Sequence, residues 1–351
     1  MRVIAWPAFK REELNPYTAL LYRNMRDIGI DVVEFEPSRV MDRTASILHI
    51  HWPDVYFSLP GYWSAWTYST AVLALLRIAR VNRIRVVWTV HNLHSHDGRY
   101  ARMERRFWPR FLRCVDGLIH LSETGRRLFL ELWPSMRPIP SAIIPHGHYR
   151  GVYPNVLTRG EARARLGLKP DHRVLAYVGQ LRPYKNVPSL ISAFRELRDP
   201  DARLIIAGMP LTAGLARAIE DVAAGDSRVL SVLRYIPTED MQLYINAADC
   251  VVLPYRTILN SGAALLALSF NRPVVVPESG ALGELRESIG EDWVRTYGGD
   301  LDGRLLGECL QWAISSRRAP VPVLDRHDWG AIAQATGDFF QALTARSGHA
   351  G

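Results

Sequence analysis

Cysteine is nearly absent: Cys114, Cys250 and Cys309 are the only three in 351 residues, and they lie far apart. They form neither a disulfide framework nor a paired metal-ligand spacing, which excludes a cystine-stapled scaffold and fits a reducing, cytoplasmic setting. There is also no HExxH motif, no solenoid period and no low-complexity linker. Residues 1–10, MRVIAWPAFK, have no apolar stretch following a basic start and no small-residue cleavage site of a leader, and read as a buried strand. Charge is missing from one long stretch, VYFSLPGYWSAWTYSTAVLALL at 55–76. Its length nearly suits a bilayer. Pro60, Gly61 and the Ser and Thr residues argue instead for a loop and a half-buried helix whose Trp and Tyr side chains touch lipid headgroups.

What is present describes a folded two-domain protein. Hydrophobic residues make up 48% and charged residues 22%, and the length favours two domains of similar size. The net charge of +8 is unevenly placed: the first 150 residues carry 21 basic and 13 acidic side chains, and the rest carry 22 of each. That asymmetry calls for an anionic partner of the first half, with phospholipid headgroups favoured over nucleic acid because no nucleic-acid reading motif accompanies it.

Short β-branched runs alternate with helical patterns in both halves, the signature of parallel sheets covered on both faces. VIAW, VVEF, ILHIHW, RVVWTVHN and GLIHLS are the strands of the first half, and RVLAYVG, RLIIAG, VLSVLRY, CVVLPY and PVVVP those of the second. NPYTALLYRNMRDIG has apolar residues at helical spacing and ends on Gly29 as a cap. The break falls in IIPHGHYRGVYPN, giving domains 1–150 and 151–325, with 326–351 as a closing helix that crosses back. The expected class is α/β, two facing Rossmann-like doubly wound domains with a ligand cleft at the carboxyl ends of their strands.

The sharpest constellation is VGQLRPYKN at 178–186, between a strand and a helix. Gly179 permits a tight turn, and Arg182 and Lys185 bring two cations to a helix N-terminus that already favours phosphate. A diphosphate leaving group needs such fixed positive charge, and fixed protein cations supply it without a metal or other cofactor. The bland alternative is two solvated cations. The second constellation is LPYRTILNSGAALLALSFNRPVVVP at 253–277. Here Arg256, Asn260, Ser261 and Gly262 open an apolar helix, as a simple cap or as an anion site.

Histidines form a third series at strand ends: His49 and His51, His91, and His146 with His148. Alternation puts His49 and His51 on one sheet face, and Asp54, Asp97 and His91 are placed to meet at the cleft. No metal-ligand spacing links them. Structural hydrogen bonding is as good a reading of any one histidine as catalysis. Fourth, RYARMERRFWPRFLRC at 99–114 mixes arginines with Phe107, Trp108 and Phe111, which suits either a helix lying on an anionic membrane or a solvated basic helix.

ILHIHWPD, TVHNLHSHD, IPHGHYR, GQLRPYKN and LPYRTILNSGAALLALSFNRPV, spread over nearly the whole chain, resemble the GT-B glycosyltransferases. More specifically they resemble the bacterial xanthan-type GDP-mannose:glycolipid β-1,4-mannosyltransferase family. The resemblance implies GDP-mannose as donor, an acceptor on polyprenyl diphosphate, inversion at the anomeric carbon and peripheral attachment to the cytoplasmic face of a membrane. It implies that Arg182 and Lys185 hold the donor diphosphate, that Asn260, Ser261 and Gly262 meet it, and that His91 sits beside the transferred sugar. The chain departs from the large retaining GT-B family, which has two Glu residues eight positions apart where this sequence has Ile258 and Leu266. An inverting transfer needs a base, for which Asp54, Asp97 and then His91 are the candidates. The rival readings are a UDP-sugar transferase, a nucleotide-sugar epimerase and a non-catalytic nucleotide-sugar-binding subunit.

Overall fold

A computed structural model describes residues 1–10, 12–13, 15–58, 61–93 and 100–345. The chain forms two compact units, Met1–Gly147 with Asp325–Gly351, and His148–Leu324.

The first unit runs β1 (Arg2–Trp6), α1 (Tyr17–Asp27), β2 (Asp31–Glu34), α2 (Pro37–Met41), β3 (Ile47–Ile50), α3 (Tyr62–Val81), β4 (Arg85–Val90), α4 (Ala101–Leu112), β5 (Gly117–His120), α5 (Glu123–Leu132) and β6 (Ser141–Ile143). The second runs α6 (Arg159–Arg165), β7 (Arg173–Val178), α7 (Val187–Glu196), β8 (Ala202–Ala207), α8 (Ala213–Ala223), β9 (Val229–Val232), α9 (Met241–Ala247), β10 (Cys250–Val252), α10 (Gly262–Ser269), β11 (Val274–Pro277), α11 (Leu282–Ile289), β12 (Val294–Tyr297) and α12 (Gly303–Ser315). Helix α13 (Trp329–Ala345) then returns to the first unit and packs along α1.

Each unit holds one six-stranded sheet whose pairings are all parallel, ordered β2-β1-β3-β4-β5-β6 in the first and β12-β11-β10-β7-β8-β9 in the second. Strand order reverses direction at β1/β3 and at β7/β10, and doubly wound sheets bind ligands at the carboxyl ends beside such a switch. The ten expected strands are all present. The two further strands, β6 and β12, lie at sheet edges, where a three-residue SAI and a VRTY run leave little period-two signal.

Apolar runs such as Val86–Val90 are buried on both faces because helices cover both. In the first unit, α3, α4 and α5 cover the face carrying Leu48, Ile50, Trp88 and Leu118. Helices α1 and α13 cover the face carrying Val3, Ala5, Ile47 and Ile119. The close approach of α13 needs glycine: a Cβ on Gly147 would sit 2.2 Å from the Trp329 ring, and one on Gly117 2.5 Å from Leu343.

Of the two readings of α4, a helix lying on a membrane with its rings in the interface or a solvated basic helix, the burial of the rings removes the first. Phe107, Trp108 and Phe111 are buried. Trp108 and Phe111 each lie 5.3 Å from Trp88 of β4, and Phe107 lies 5.2 Å from Phe57. An uncovered β4 would expose Trp88, so the aromatic stripe of α4 goes to the sheet and its arginines to solvent. Exposed aromatics of the first unit lie on α3, with Trp63 74% accessible. Among the described residues no helix is long and apolar enough to cross a membrane.

Candidate functional site

In the second unit, the loops after β7 and β10 meet at the switch point. Gly179 leaves β7 at φ 135°, and its N–H donates to Ala207 O at 2.9 Å. Leu181 N donates to Met209 O at 3.0 Å, which ties the loop to the one after β8. The fit is close enough that a Cβ on Gly208 would lie 1.9 Å from Gly179 O. A 3-10 turn, Pro183–Lys185, then passes through Asn186 in the left-handed region into α7. Arg256 N donates to Tyr184 O at 3.0 Å and so holds the loop after β10 against this turn, while the Arg256 side chain is exposed.

Two cations occupy the turn. Arg182 Nη2 donates to Gln180 Oε1 at 3.3 Å. Lys185 Nζ lies 6.0 Å from the ring centres of both Tyr177 and Tyr255, where burial, and next the positive charge of Arg182, lower its pKa to about 8. Among the described residues neither cation has a carboxylate partner. Across the turn, Ser261 Oγ donates to Tyr255 Oη at 3.4 Å and accepts from Ala264 N at 3.2 Å, capping α10 at Gly262. The buried Nδ2 of Asn260 has no partner among the described residues. Gly280, at φ 58°, lets the next loop press on this segment, since a Cβ there would lie 2.1 Å from Ile258 O. The arrangement brings the N-terminus of α10 and two cations without a carboxylate partner among the described residues to one turn, a combination suited to a diphosphate. Ile258 is half-buried against the apolar core and Leu266 is buried, and neither side chain has a polar group to offer a ligand.

In the first unit, period two on adjacent strands puts His49 and His51 beside Thr89 and His91 on the face under α1. Tyr22 of α1 bridges the two strand histidines, its Oη 2.7 Å from His49 Nδ1 and 2.6 Å from His51 Nε2. The chain continues from His49 Nε2 to Thr89 Oγ1 at 2.8 Å and from His51 Nδ1 to His91 Nε2 at 3.0 Å. Trp52 stacks on His91 at 4.6 Å, and Tyr17 packs edge-on at 5.1 Å.

Burial lowers every histidine of this cluster: His49 to about 3, and His51 and His91 well below the ordinary imidazole value, with the neighbouring histidines adding to the fall. His146, 4.6 Å from Tyr17, donates from Nδ1 to Gly147 O at 2.8 Å and is lowered by burial to about 4. All are neutral at pH 7. The chain of bonds has two self-consistent tautomer sets, running in opposite directions through Tyr22. One leaves His91 Nδ1 as a donor and the other as an acceptor, so this nitrogen is able to pair with a hydroxyl in either sense without adding charge.

The structure thus gathers Gly179, Arg182, Lys185, Ser261 and Gly262 around one turn, and His51, His91 and His146 around Tyr17. His148 is the first residue of the second unit, its Nδ1 accepting from Arg150 N at 3.3 Å. Asp54 is half-buried on the loop two residues past Trp52. Asp97 lies outside the described residues. Tyr17, Tyr22, Thr89, Tyr177 and Tyr255 complete these sites and were not expected. Thr89, two positions before His91, was visible in principle by alternation; the tyrosines are not flagged by any local pattern.

Comparison with known proteins gives a consistent picture. Residues 172–298 match the family model described as glycosyl transferases group 1. The GDP-mannose:glycolipid 4-beta-D-mannosyltransferase of Xanthomonas campestris pv. campestris is 32% identical over 320 residues, 91% of this chain and 86% of that protein. A D-inositol 3-phosphate glycosyltransferase from Nocardia farcinica is 35% identical over 48% of this chain and 39% of its own length. Among solved structures, a sucrose-phosphate synthase from Thermosynechococcus elongatus superposes with a TM-score of 0.71 at 17% identity, covering 99% of this chain and 100% of its own. Anabaena Alr3699/HepE in complex with UDP and glucose gives 0.66 at 14% identity, with 99% of both chains covered. Both share the fold.

Proposed function

The chain belongs to the glycosyltransferase family of the GDP-mannose:glycolipid 4-beta-D-mannosyltransferases and is a GT-B enzyme, and from that premise we propose that it transfers mannose from GDP-mannose, with inversion, to a lipid-linked glycan in exopolysaccharide or glycolipid synthesis. The observation that carries the reading is the pair Arg182 and Lys185, two cations without a carboxylate partner among the described residues, at the switch point of the second sheet.

In this reading the second unit holds the donor. The bond from the anomeric carbon to the diphosphate breaks, its electron pair stays on the departing phosphate oxygen, and Arg182, Lys185 and the N–H groups near Gly262 stabilise that charge in place of a metal ion. Asn260 Nδ2 and Arg256 are further contacts to the nucleotide. The first unit binds the acceptor. Its hydroxyl oxygen attacks the opposite face of the sugar and gives its proton to a carboxylate, Asp54 or Asp97. His91 is kept neutral by burial and so serves better as a hydrogen-bond partner of the reacting hydroxyls than as the base, with His51 orienting it.

The test is transfer from a panel of radiolabelled nucleotide sugars to a membrane lipid extract, in EDTA, with Arg182→Ala as control. Label entering the lipid phase from GDP-mannose, and lost in the control, is the expected result. Label from another donor keeps the transferase and discards mannose; nucleotide binding with no transfer from any donor discards the enzyme reading. Dependence of transfer on EDTA removing a metal would discard the role given to the two cations.

A further inference from the structure

The second sheet has a concavity at its other end. Asp249 precedes β10, Asn271 and Arg272 precede β11, and Trp293 precedes β12, so the amino ends of three strands open on one pocket of about 300 Å³. Arg159 of α6, Ile314 of α12 and Arg318 close its other sides. Arg182 and Lys185 instead follow β7, at the carboxyl ends. The four residues of β11, roughly 13 Å at 3.3 Å per residue, run from one end to the other. A ligand of this pocket is therefore distinct from the donor diphosphate.

Positive charge dominates the pocket. Asp249 is the carboxylate in its lining and is already engaged: it accepts from Val174 N at 2.7 Å, from the buried Arg163 at 2.9 Å and from Arg159. Arg272 donates from Nε to Ile245 O at 3.3 Å and from Nη2 to Asn246 O at 3.0 Å, and Arg318 donates from Nη2 to Trp312 O at 3.3 Å. Those bonds leave Nη1 of both guanidinium groups to a ligand. Among the described residues neither Arg272 nor Arg318 makes an ion pair, and Asp292, whose charge reaches Arg318, is exposed. Burial, and next the charge of Arg159, lower the pKa of Arg272 to about 10, and burial lowers that of Arg318.

Two buried polar atoms of the lining have no partner among the described residues: Nε of Arg318, a donor, and Oδ1 of Asn271, an acceptor. The Arg318 guanidinium lies 5.5 Å from the ring centre of Trp293 and 5.1 Å from that of Trp312, contacts that hold it without neutralising it. Guanidinium is matched to phosphate, which supplies acceptors to Arg272 and Arg318. An ionised phosphate has no proton for Asn271 Oδ1, whereas a hydroxyl has one. The volume is at the lower end of the about 300–1,000 Å³ of small-molecule sites, which suits a metabolite well short of a nucleotide sugar in size.

We propose that this pocket binds a small phosphate monoester bearing hydroxyl groups, a hexose phosphate in chemical class, with Arg272 and Arg318 on the phosphate and Asn271 on a hydroxyl.

Calorimetric titration of the full chain with glucose 6-phosphate, inorganic phosphate and glucose, without donor or acceptor, tests the pocket separately from the reaction. Glucose 6-phosphate is expected to bind at least about tenfold more tightly than either of the other two, since each supplies only part of the pairing. Arg318→Gln should weaken it by at least about tenfold. Ile314→Glu, at an exposed position on the rim, should weaken it at least about fivefold by placing a like charge beside the phosphate, with thermal melting unchanged. Arg182→Ala with Lys185→Ala should bind it as wild type does. Loss of binding in that double variant sends the ligand to the donor site and overturns the proposal. So does wild-type affinity in both Arg318→Gln and Ile314→Glu, equal affinity for inorganic phosphate and glucose 6-phosphate, or no binding of glucose 6-phosphate to wild type. Failure of mannose transfer contradicts the proposed function and leaves this pocket standing, because the titration contains no donor.

Discussion

The two polar sites solve opposite problems. The histidine cluster of the first unit is closed on itself: Thr89, His49, Tyr22, His51 and His91 satisfy each other in one chain of hydrogen bonds, and burial keeps all the imidazoles neutral. The site of the second unit is open: Lys185 is half-buried beside Arg182 with rings around it, and desolvation, and next the Arg182 charge, bring its pKa down to about 8, with no carboxylate partner among the described residues. A satisfied polar network fixes geometry, whereas an unsatisfied charge stores affinity for a ligand that supplies the missing partner. On the proposed function, the difference separates positioning from binding.

The sharpest way to break this contrast is to remove the open site's charge. Arg182→Ala with Lys185→Ala should lower kcat/KM by about 1,000-fold or more, since one oxyanion-type donor is typically worth about 100- to 1,000-fold, while thermal stability is kept. A large loss of stability instead would make the pair structural.

Acid should act on the closed site. The unfolded chain protonates its histidines near pH 6.5, whereas folded His146 and His49 stay neutral down to about 4 and 3. Their stabilisation is therefore complete above about pH 6.5 and lost as pH falls toward those values, by up to about 1.4 kcal/mol per pH unit for each. Denaturant midpoints from pH 7.5 to 4 check this; a flat profile would mean that the histidines are solvated.

Tyr22→Phe sharpens the comparison more finely. It leaves His49 Nδ1 and His51 Nε2 without their bridge, at a cost of about 2 kcal/mol in chemical unfolding, and should change the acceptor KM more than the donor KM. An equal rise in both would undo the division of labour. Smallest is Ser261→Ala, which removes the α10 cap for about 1 kcal/mol and a few-fold in donor affinity by calorimetry.

Much of this was legible before folding. Alternating apolar runs marked ten of the twelve strands, Gly29 marked the end of α1, and the strand, turn and helix around Gly179 located the open site, because each is a local pattern with a local cause. What escaped depends on distant partners. Tyr22 is 27 residues from His49, and only the lie of α1 across β3 joins them. The stripe of Phe107, Trp108 and Phe111 announces an amphipathic helix, but periodicity is silent on whether its apolar side meets lipid or a sheet. The need to cover Trp88 decided that. Residues 55–76 read more directly: the half-buried helix expected there is α3, which keeps Tyr62, Trp63, Trp66 and Tyr68 outside, on the side away from the core.

The most direct test of the open site is calorimetric titration with GDP from pH 6.5 to 9.5, for wild type and Lys185→Met. With the free lysine near 8 and a bound diphosphate favouring its charged form, wild-type affinity should hold below pH 8 and fall above it, with proton uptake on binding. Lys185→Met should bind at least about tenfold more weakly, with no such fall. Identical affinity and pH dependence in the two proteins would contradict the assignment of Lys185 to the donor diphosphate.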